Sequence, residues 1–346
     1  MKKKNNLLFF DFFIIILVLG TFTLIKNQTD YSETEKRYLE QIPQLTISKY
    51  WKGTYQKKIE IALADQILYS EEIKNNYNKF FDLSKWLNLK KKLCKKKYIN
   101  IGENRSLYGC SDYIVFNPIN KTTLSKESFN SFFDSYSHLN KIIDTYYYII
   151  DTSMIYDFTR NMYHYNLSQT YKDNLQGPYH LKTFKFKDFQ EYEKYFYKTD
   201  HHWNYRGSYR GYKEIMKMLG VKDIRKPIKK ITLDKLEYYG SHTQQTRYYD
   251  SYDKFTIYRF DFPNHRTYIE GEEGTYGNMD FSINAKNNPY VINNKKTKNM
   301  DMYANYYGID YGEIIFDFEN PEQDNILIIS NSFDNAIDEL IASHYN

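Results

Sequence analysis

The sequence has few cysteines, little net charge and no evident internal repeat. Its two cysteines, Cys94 and Cys110, are too few for a disulfide scaffold or a tetrahedral cysteine zinc site, although one disulfide between them stays open. The 48 basic and 43 acidic side chains leave a formal net charge of +5, of which the first 26 residues hold +3. The remaining charge of about +2 does not indicate a nucleic-acid-binding surface.

What the chain does have is length and aromatic residues. Its 346 residues are 41% hydrophobic, which is compatible with a globular protein and not with a disordered one. The 38 tyrosines and 23 phenylalanines accompany many Asn, Lys and Ile, all with A/T-rich codons, so we give the aromatic excess no functional weight. The basic run Lys90 to Lys97 is interpreted as a solvated helix face, ahead of a site for an acidic polymer or membrane surface.

The longest apolar run is Leu7 to Ile25, which approaches the ~20 residues that cross a bilayer as a helix. Asp11 lies near its start, where a carboxylate can reach the interface. Because Lys2 to Lys4 precede it, residues 1–26 are predicted to be a single-pass signal anchor with a cytoplasmic N-terminus and an extracytoplasmic main domain. A signal peptide cleaved near Gly20-Thr21 is the alternative.

Beyond the anchor, residues 27–97 are predicted to form a tether and packing helices, and residues 98–346 an α/β domain. The helical spacing from Phe129 to Ile143 precedes an apolar strand pattern at Tyr146–Ile150, and a helix followed by a strand is typical of this fold class. A polar, Tyr-rich and Asn-rich stretch at about 231–302 predicts an irregular excursion, with an exposed loop at 284–297.

The run Lys198 to Trp203 places Asp200 and His202 two residues apart in a chain with only eight histidines. An acid beside a histidine orients the ring, fixes its tautomer and stabilises its charged form. The pair can therefore serve as general base for a nucleophile from elsewhere in the chain. We predict that the run lies at a strand-to-helix junction, at the carboxyl edge of a sheet.

Ser332 is the candidate nucleophile. It follows Ile326–Ile329, whose continuous apolar pattern predicts a buried parallel strand, and it precedes a helical pattern. Such a turn would lift the hydroxyl above the sheet edge and let backbone N–H groups, that of Phe333 first, stabilise an oxyanion. Ser153 is the rival, because Asp151-Thr152-Ser153 directly follows the Tyr146–Ile150 pattern and would also lie at a sheet edge.

The residues Lys198-Thr199-Asp200-His201-His202-Trp203 resemble the motif of DHHW-motif proteins, which are similar to the alginate O-acetylation proteins of the AlgJ and AlgX type among the SGNH-like hydrolases and acyltransferases. The resemblance implies a three-layer α/β/α fold with a mostly parallel central sheet. It also implies that Asp200 is the orienting acid, His202 the base and Ser332 the nucleophile of a triad without metal or cofactor.

We expect four further residues to support the site or contact the substrate. His201 is expected to be a supporting hydrogen-bond group and Trp203 a packed ring that walls the site. Arg247 and Tyr248 are candidates for substrate contacts. A metal site remains the rival interpretation, with Asp200, His201 and His202, and with His164 or His180, as its ligands.

Two functional classes stay open. The first is a membrane-anchored serine acyltransferase or esterase that acts on a cell-surface polysaccharide, and the resemblance implies a membrane-bound O-acyltransferase partner as acyl supplier. The second is a non-catalytic carbohydrate-binding or surface-assembly protein. Ser330-Asn331-Ser332 stands where the family's turn usually reads Gly-Asp-Ser, which favours this second class. The relatives continue further after the nucleophile, which leaves a truncated C-terminus as an open interpretation.

Overall fold

The computed structural model describes residues 54–67, 98–109, 111–119, 127–277, 297–299 and 302–346, with shorter stretches at 20–23, 30–32 and 37–44 and single residues 14, 17, 18, 25, 28 and 50. It divides into two compact units, Met1–Lys91 and Lys92–Asn346. Both cysteines, the run Lys90 to Lys97 and the predicted loop up to residue 296 lie outside the described residues.

The first unit contains a small antiparallel strand pair and a helix. The strands are β1 (Tyr31–Ser32) and β2 (Arg37–Tyr38), and the helix is α1 (Thr54–Gln66). The backbone N–H of Glu40 donates to Asp65 Oδ2 at 2.9 Å, and Gln66 Nε2 donates to the carbonyl of Glu40 at 3.3 Å. The last turn of α1 therefore holds the chain that follows β2.

Most of the predicted anchor lies outside the described residues. Among its residues that the structure does describe, those from Gly20 to Thr23 have helical backbone, and Thr21 Oγ1 donates to the carbonyl of Leu17 at 2.7 Å. No helix within the described part of the chain is both long and apolar enough to cross a membrane. The anchor stays a prediction.

The second unit is a mixed α/β fold, as predicted. Its strands are β3 (Tyr98–Gly102), β4 (Arg105–Tyr108), β5 (Ile114–Phe116), β6 (Tyr146–Ile150), β7 (Tyr156–Asp157), β8 (Met162–Tyr163), β9 (His180–Phe184), β10 (Lys229–Thr232), β11 (Leu236–Tyr238), β12 (Thr256–Arg259), β13 (Arg266–Ile269), β14 (Glu272–Glu273), β15 (Thr297–Asn299) and β16 (Ile314–Asp317). Its helices are α2 (Glu127–Leu139), α3 (Leu167–Asn174), α4 (Phe189–Tyr195), α5 (Tyr205–Met218), α6 (Ser241–Thr246), α7 (Met302–Tyr307) and α8 (Asp338–Ala342), with 3₁₀ helices at Ser153–Ile155 and Asp334–Ala336.

The sheets of this unit are small and mixed. β3-β4-β5 and β14-β13-β16 are three-stranded and antiparallel, β10 pairs with β12 and β7 with β8 in the same sense, and β6-β9 and β11-β15 are parallel pairs. The predicted strand at Tyr146–Ile150 is β6, and it is parallel to β9. The three-layer arrangement around a mostly parallel sheet stays a prediction.

Three clusters of buried side chains form the core of the second unit, the smallest of which contains Phe133, Tyr147 and Leu175. The other two adjoin residues 198–202. The first contains Val115, Tyr156, Phe158, Phe184, Phe186, Tyr192, Phe196, Trp203, Tyr212, Met216, Ile337, Leu340 and Ile341. The second contains Tyr197, Leu233, Leu236, Tyr238, Phe255, Ile257, Met302, Tyr303, Tyr306 and Tyr307. Since Tyr197 belongs to the second cluster and Trp203 to the first, residues 198–202 run from one cluster to the other.

Residues 198–202 form a loop between two helices, so the predicted strand-to-helix junction is wrong. α4 ends at Tyr195, and an isolated antiparallel bridge pairs Phe196 with Trp203. Asn204 then caps α5 by accepting from the backbone N–H groups of Arg206 and Gly207. A bridge and a cap thus fix both ends of the loop.

Two glycines of α5 allow Trp203 to pack closely. A Cβ on Gly211 would lie 2.5 Å from Trp203 Cζ3, and one on Gly207 would lie 2.2 Å from the carbonyl oxygen of Tyr195. These contacts are to the preceding loop and helix. Gly220, at φ +79°, follows Leu219, the C-cap residue of α5.

The segment Ile326–Ile329 is not the buried strand that its composition predicts. Among the described residues it belongs to no sheet. Ile326 and Ile328 pack against the first core cluster, while Leu327 is 79% exposed and Ile329 61% exposed. Because alternate side chains face opposite sides of an extended chain, only one face of this run is covered.

Candidate active site

Asp200 and His202 form a buried hydrogen-bonded pair inside the loop. Asp200 Oδ1 accepts from the backbone N–H of His202 at 2.9 Å and from its Nδ1 at 2.6 Å. Since the carboxylate accepts, Nδ1 carries the ring proton and Nε2 remains an acceptor. The two-residue spacing thus lets one carboxylate oxygen hold both the main chain and the ring of His202.

The other oxygen of Asp200 is held by the chain between β11 and α6. Oδ2 accepts from Tyr238 Oη at 2.8 Å and from the backbone N–H of Ser241 at 2.7 Å. Burial by itself raises the pKa of Asp200, but the nearby His202 and His201 rings and these hydrogen bonds hold the pKa well below its usual value. Asp200 is therefore ionised at neutral pH, although it is 3% exposed.

Ser332 meets the other edge of the His202 ring. Its Oγ lies 2.8 Å from His202 Nε2, so the hydroxyl donates to a nitrogen that is free to accept its proton. Ser332 is partly exposed, and its carbonyl accepts from Tyr303 Oη at 3.1 Å. Asp200, His202 and Ser332 thus form a continuous chain of hydrogen bonds that ends at a surface a substrate can reach.

The turn that carries Ser332 differs from the predicted one. A 3₁₀ helix and the five-residue α8 follow it, instead of one helix that begins at the serine. The backbone N–H of Phe333, the predicted oxyanion donor, donates to Asn331 Oδ1 at 3.3 Å. In this conformation the N–H is therefore already engaged by the turn itself.

A partly buried carboxylate fixes the backbone just before Asp200. Asp253 accepts from the backbone N–H groups of Lys198 and Thr199 at 3.0 and 2.8 Å, and from Thr199 Oγ1 at 2.6 Å. Gly240 lies against Asp200, where a Cβ would come within 2.3 Å of the aspartate Cβ. Only glycine fits here without displacing the acid.

His201 and Trp203 occupy the two sides of the loop. His201 Nδ1 lies 2.6 Å from Ser241 Oγ, and its ring centroid lies 3.8 Å from that of His202. Burial lowers the pKa of His201 to about 4, so its ring is neutral at physiological pH. Trp203 is 1% exposed and packs edge-on against Phe333.

The other candidate residues lie in different surroundings. Ser153 is fully buried, and its Oγ accepts from the backbone N–H of Phe116 at 3.0 Å, so it has the contacts of a structural serine. Arg247 is buried and follows the last residue of α6, while Ser241 at the first residue of that helix contacts Asp200. Tyr248 is partly buried next to it, and a substrate contact for either residue stays a prediction.

The residues proposed as metal ligands do not all meet. Asp200, His201 and His202 offer ligand atoms within 4.8 Å of one another. His164 instead lies 3.3 Å from Asp157, and His180 stacks on a tyrosine at the start of β6. The Nδ1 atoms that face the carboxylate are engaged in hydrogen bonds, and this is the arrangement of a proton relay.

Three residues that contact the site were not predicted from the sequence: Tyr238, Ser241 and Tyr303. Tyr238 and Ser241 belong to the stretch 231–302 that was predicted to be irregular, and Tyr303 directly follows it. The described parts of this stretch include the strands β10 to β15 and the helix α6. Among 38 tyrosines no local pattern singles out two. Ser241 follows Gly240, and a Gly-Ser pair before a short helix gives no recognisable signal of contact with a residue 41 positions away.

Known proteins resemble this chain in structure, whereas the sequence comparisons give no match. No known family's sequence profile matches the chain, and no curated protein is similar to it in sequence. Among solved structures, a DHHW family protein from Eubacterium siraeum is similar with a TM-score of 0.49 and 14% identity, over 72% of this chain and 82% of that one. PatB1 of Bacillus cereus is similar with a TM-score of 0.48 and 20% identity in a structure with a sulfonyl adduct, and of 0.44 and 18% in another, each over 70% of this chain and 85% of that one.

Proposed function

We propose that this chain is an SGNH-like serine acyltransferase or esterase that moves an acetyl group onto or off the hydroxyls of a cell-surface polysaccharide. One observation carries the proposal: Asp200 Oδ1, the two nitrogens of His202 and Ser332 Oγ form an unbroken hydrogen-bonded series at 2.6 and 2.8 Å. An ionised acid, an oriented imidazole and a partly exposed hydroxyl are what acyl transfer through a serine ester requires.

The reaction proceeds in two balanced halves. Ser332 Oγ attacks the carbonyl carbon of an acyl donor, its proton passes to His202 Nε2, and that proton leaves with the donor's leaving group as the old acyl bond breaks. A sugar hydroxyl or water then gives its proton to His202 and attacks the Ser332 ester. The acyl group leaves on the acceptor, and Ser332 recovers its proton. Asp200 stabilises the imidazolium in both halves.

The cellular setting is part of the same proposal. The apolar run up to Ile25, preceded by three lysines, supports a single-pass anchor with an extracytoplasmic catalytic domain. Such a domain has no access to cytoplasmic acyl donors by diffusion. A membrane-bound O-acyltransferase that passes acetyl groups outward is therefore the proposed partner, and a surface polysaccharide the acceptor.

The proposal is tested with the full-length chain in detergent and p-nitrophenyl acetate as acyl donor. We expect release of nitrophenol and a mass increase of one acetyl group on Ser332. Both signals are lost in Ser332→Ala and His202→Ala, and Ser153→Ala is the matched control that keeps them. Transfer to an added oligosaccharide separates a transferase from an esterase. An unmodified Ser332, together with no product from either acceptor, would refute the proposed enzymatic function.

A non-catalytic carbohydrate-binding protein is the second candidate. It is favoured by Asn331, which stands in the nucleophile turn and accepts the N–H of Phe333. In that case polysaccharide binding would be unchanged by Ser332→Ala, and no acetyl-enzyme would form with the unaltered chain.

A further inference from the structure

The imidazole rings of His201 and His202 lie side by side, with both Nδ1 atoms facing the same carboxylate. Asp200 Oδ1 lies 2.6 Å from Nδ1 of His202 and 3.5 Å from Nδ1 of His201. The ring centroids are 3.8 Å apart and the planes are tilted by 37°. Because Nδ1 and Nε2 lie on different edges of an imidazole, both Nε2 atoms point away from Asp200, and that of His202 meets Ser332 Oγ at 2.8 Å.

Ser241 determines which nitrogen of His201 carries the proton. Its Oγ accepts the backbone N–H of His201 at 3.4 Å and lies 2.6 Å from His201 Nδ1. Within the described part of the chain, Nδ1 is the acceptor that the Ser241 hydroxyl meets. Asp200 Oδ1 already accepts two N–H groups of His202, which leaves it poorly placed to accept a third. The hydroxyl therefore donates to Nδ1, and the proton of His201 is on Nε2.

The Nε2–H of His201 is available to a substrate. The side chain is 35% exposed, against 8% for His202, and Nε2 meets no protein acceptor among the residues that the structure describes. The ring also lies 5.9 Å from the ring of Phe333, directly after the nucleophile. A neutral donor is thus carried by a ring that lies beside both the His202 ring, which contacts Ser332, and the ring of Phe333.

We propose that His201 is a catalytic residue that donates its Nε2–H to the carbonyl oxygen of the acyl group, as part of the oxyanion site. The inference rests on the proposed function. It gives the site a donor that replaces the Phe333 N–H, which Asn331 accepts. Ser241 is then a positioning residue that keeps the required tautomer. The lowered pKa of His201 supports this role, because the ring remains a neutral donor throughout the reaction.

Two substitutions separate a donor from a packed ring. His201→Gln keeps an N–H donor and loses the ring, whereas His201→Phe keeps the ring against His202 and loses the donor. We expect His201→Phe to lower the acetylation rate constant of Ser332 by about 10²-fold with little change in KM, and His201→Gln to recover part of the loss.

If His201→Phe is as active as the unaltered chain, or more active than His201→Gln, His201 has only a packing role and the inference is overturned. Nitrogen NMR of the labelled chain gives a readout without turnover: Nε2–H on His201 is expected, with loss of that preference in Ser241→Ala. A proton on Nδ1 would overturn the inference even if the enzyme is active. Absence of any acetyl-Ser332 in the unaltered chain would instead refute the proposed function, and this inference with it.

Discussion

The ring of His202 lies parallel to the ring of Tyr303, with centroids 3.9 Å apart and planes 6° from parallel. The same tyrosine donates its hydroxyl to the carbonyl of Ser332 at 3.1 Å. Tyr303 thus contacts the base through its face and the nucleophile's backbone through its hydroxyl. It is 4% exposed, so both contacts are made in a dry environment.

These two contacts of Tyr303 can be separated by substitution. Tyr303→Phe keeps the stacking and loses the hydrogen bond, and we expect it to lower the free energy of unfolding by about 1 kcal/mol with a small loss of kcat. Tyr303→Ala also removes the ring, and we expect a loss of about 3–5 kcal/mol and a much lower kcat, because His202 is no longer held. Urea unfolding measures the change in the free energy of unfolding of each variant, and ester turnover measures the change in kcat. Equal effects of the two variants would show that the stacking contributes nothing.

The ionised state of Asp200 gives a pH dependence of stability. Its pKa in the folded protein lies well below the unfolded value of about 3.9, so its contribution is fully present above pH ~4 and is lost as the pH falls through the folded-state value. The Asp200→Asn variant lacks this pH-dependent contribution to stability. The stability difference between the two proteins, measured by urea unfolding from pH 7 to pH 3, should therefore shrink below pH ~4. A stability difference that stays constant over this pH range would contradict the prediction. The variant should also lose about 10³–10⁴-fold in kcat.

Gly240 is predicted to be essential for steric reasons alone. Its backbone, at φ −72° and ψ −176°, suits any residue, but a Cβ would lie 2.5 Å from Asp200 Oδ2. Gly240→Ala should lower the free energy of unfolding by about 1–3 kcal/mol and displace the acid, with a fall in kcat. Gly274→Ala is the control, because its Cβ would meet only Ile269 Cδ1, at an ordinary 3.7 Å. Equal kcat in the two variants would contradict the prediction.

Ser153 should prove structural. Ser153→Ala leaves the backbone N–H of Phe116 without its acceptor, and we expect a loss of about 1–3 kcal/mol in the free energy of unfolding. The acetylation rate constant should be unchanged. A rate that falls to that of Ser332→Ala, in a variant that is still folded by circular dichroism, would instead make Ser153 the nucleophile.

The sequence predicts those parts of the architecture that depend on interactions between residues close together in the chain. β6 lies at the predicted Tyr146–Ile150, because a strand of this kind follows from the apolar pattern of a few neighbouring residues. The pairing of Asp200 with His202 is equally local. A two-residue spacing in a tight loop is enough for the carboxylate to reach both nitrogens.

The tertiary structure decided everything that depends on distant segments. Ser332 reaches His202 across 130 positions of the chain, and the contacts of Tyr238 and Ser241 with Asp200 span about 40. The apolar run at Ile326–Ile329 shows the same limit, since composition cannot tell whether one face or both are covered. The sequence alone determined the pairing of Asp200 with His202, because its geometry is local. Only the packing of the two core clusters around the loop decided which serine, tyrosines and backbone groups surround them.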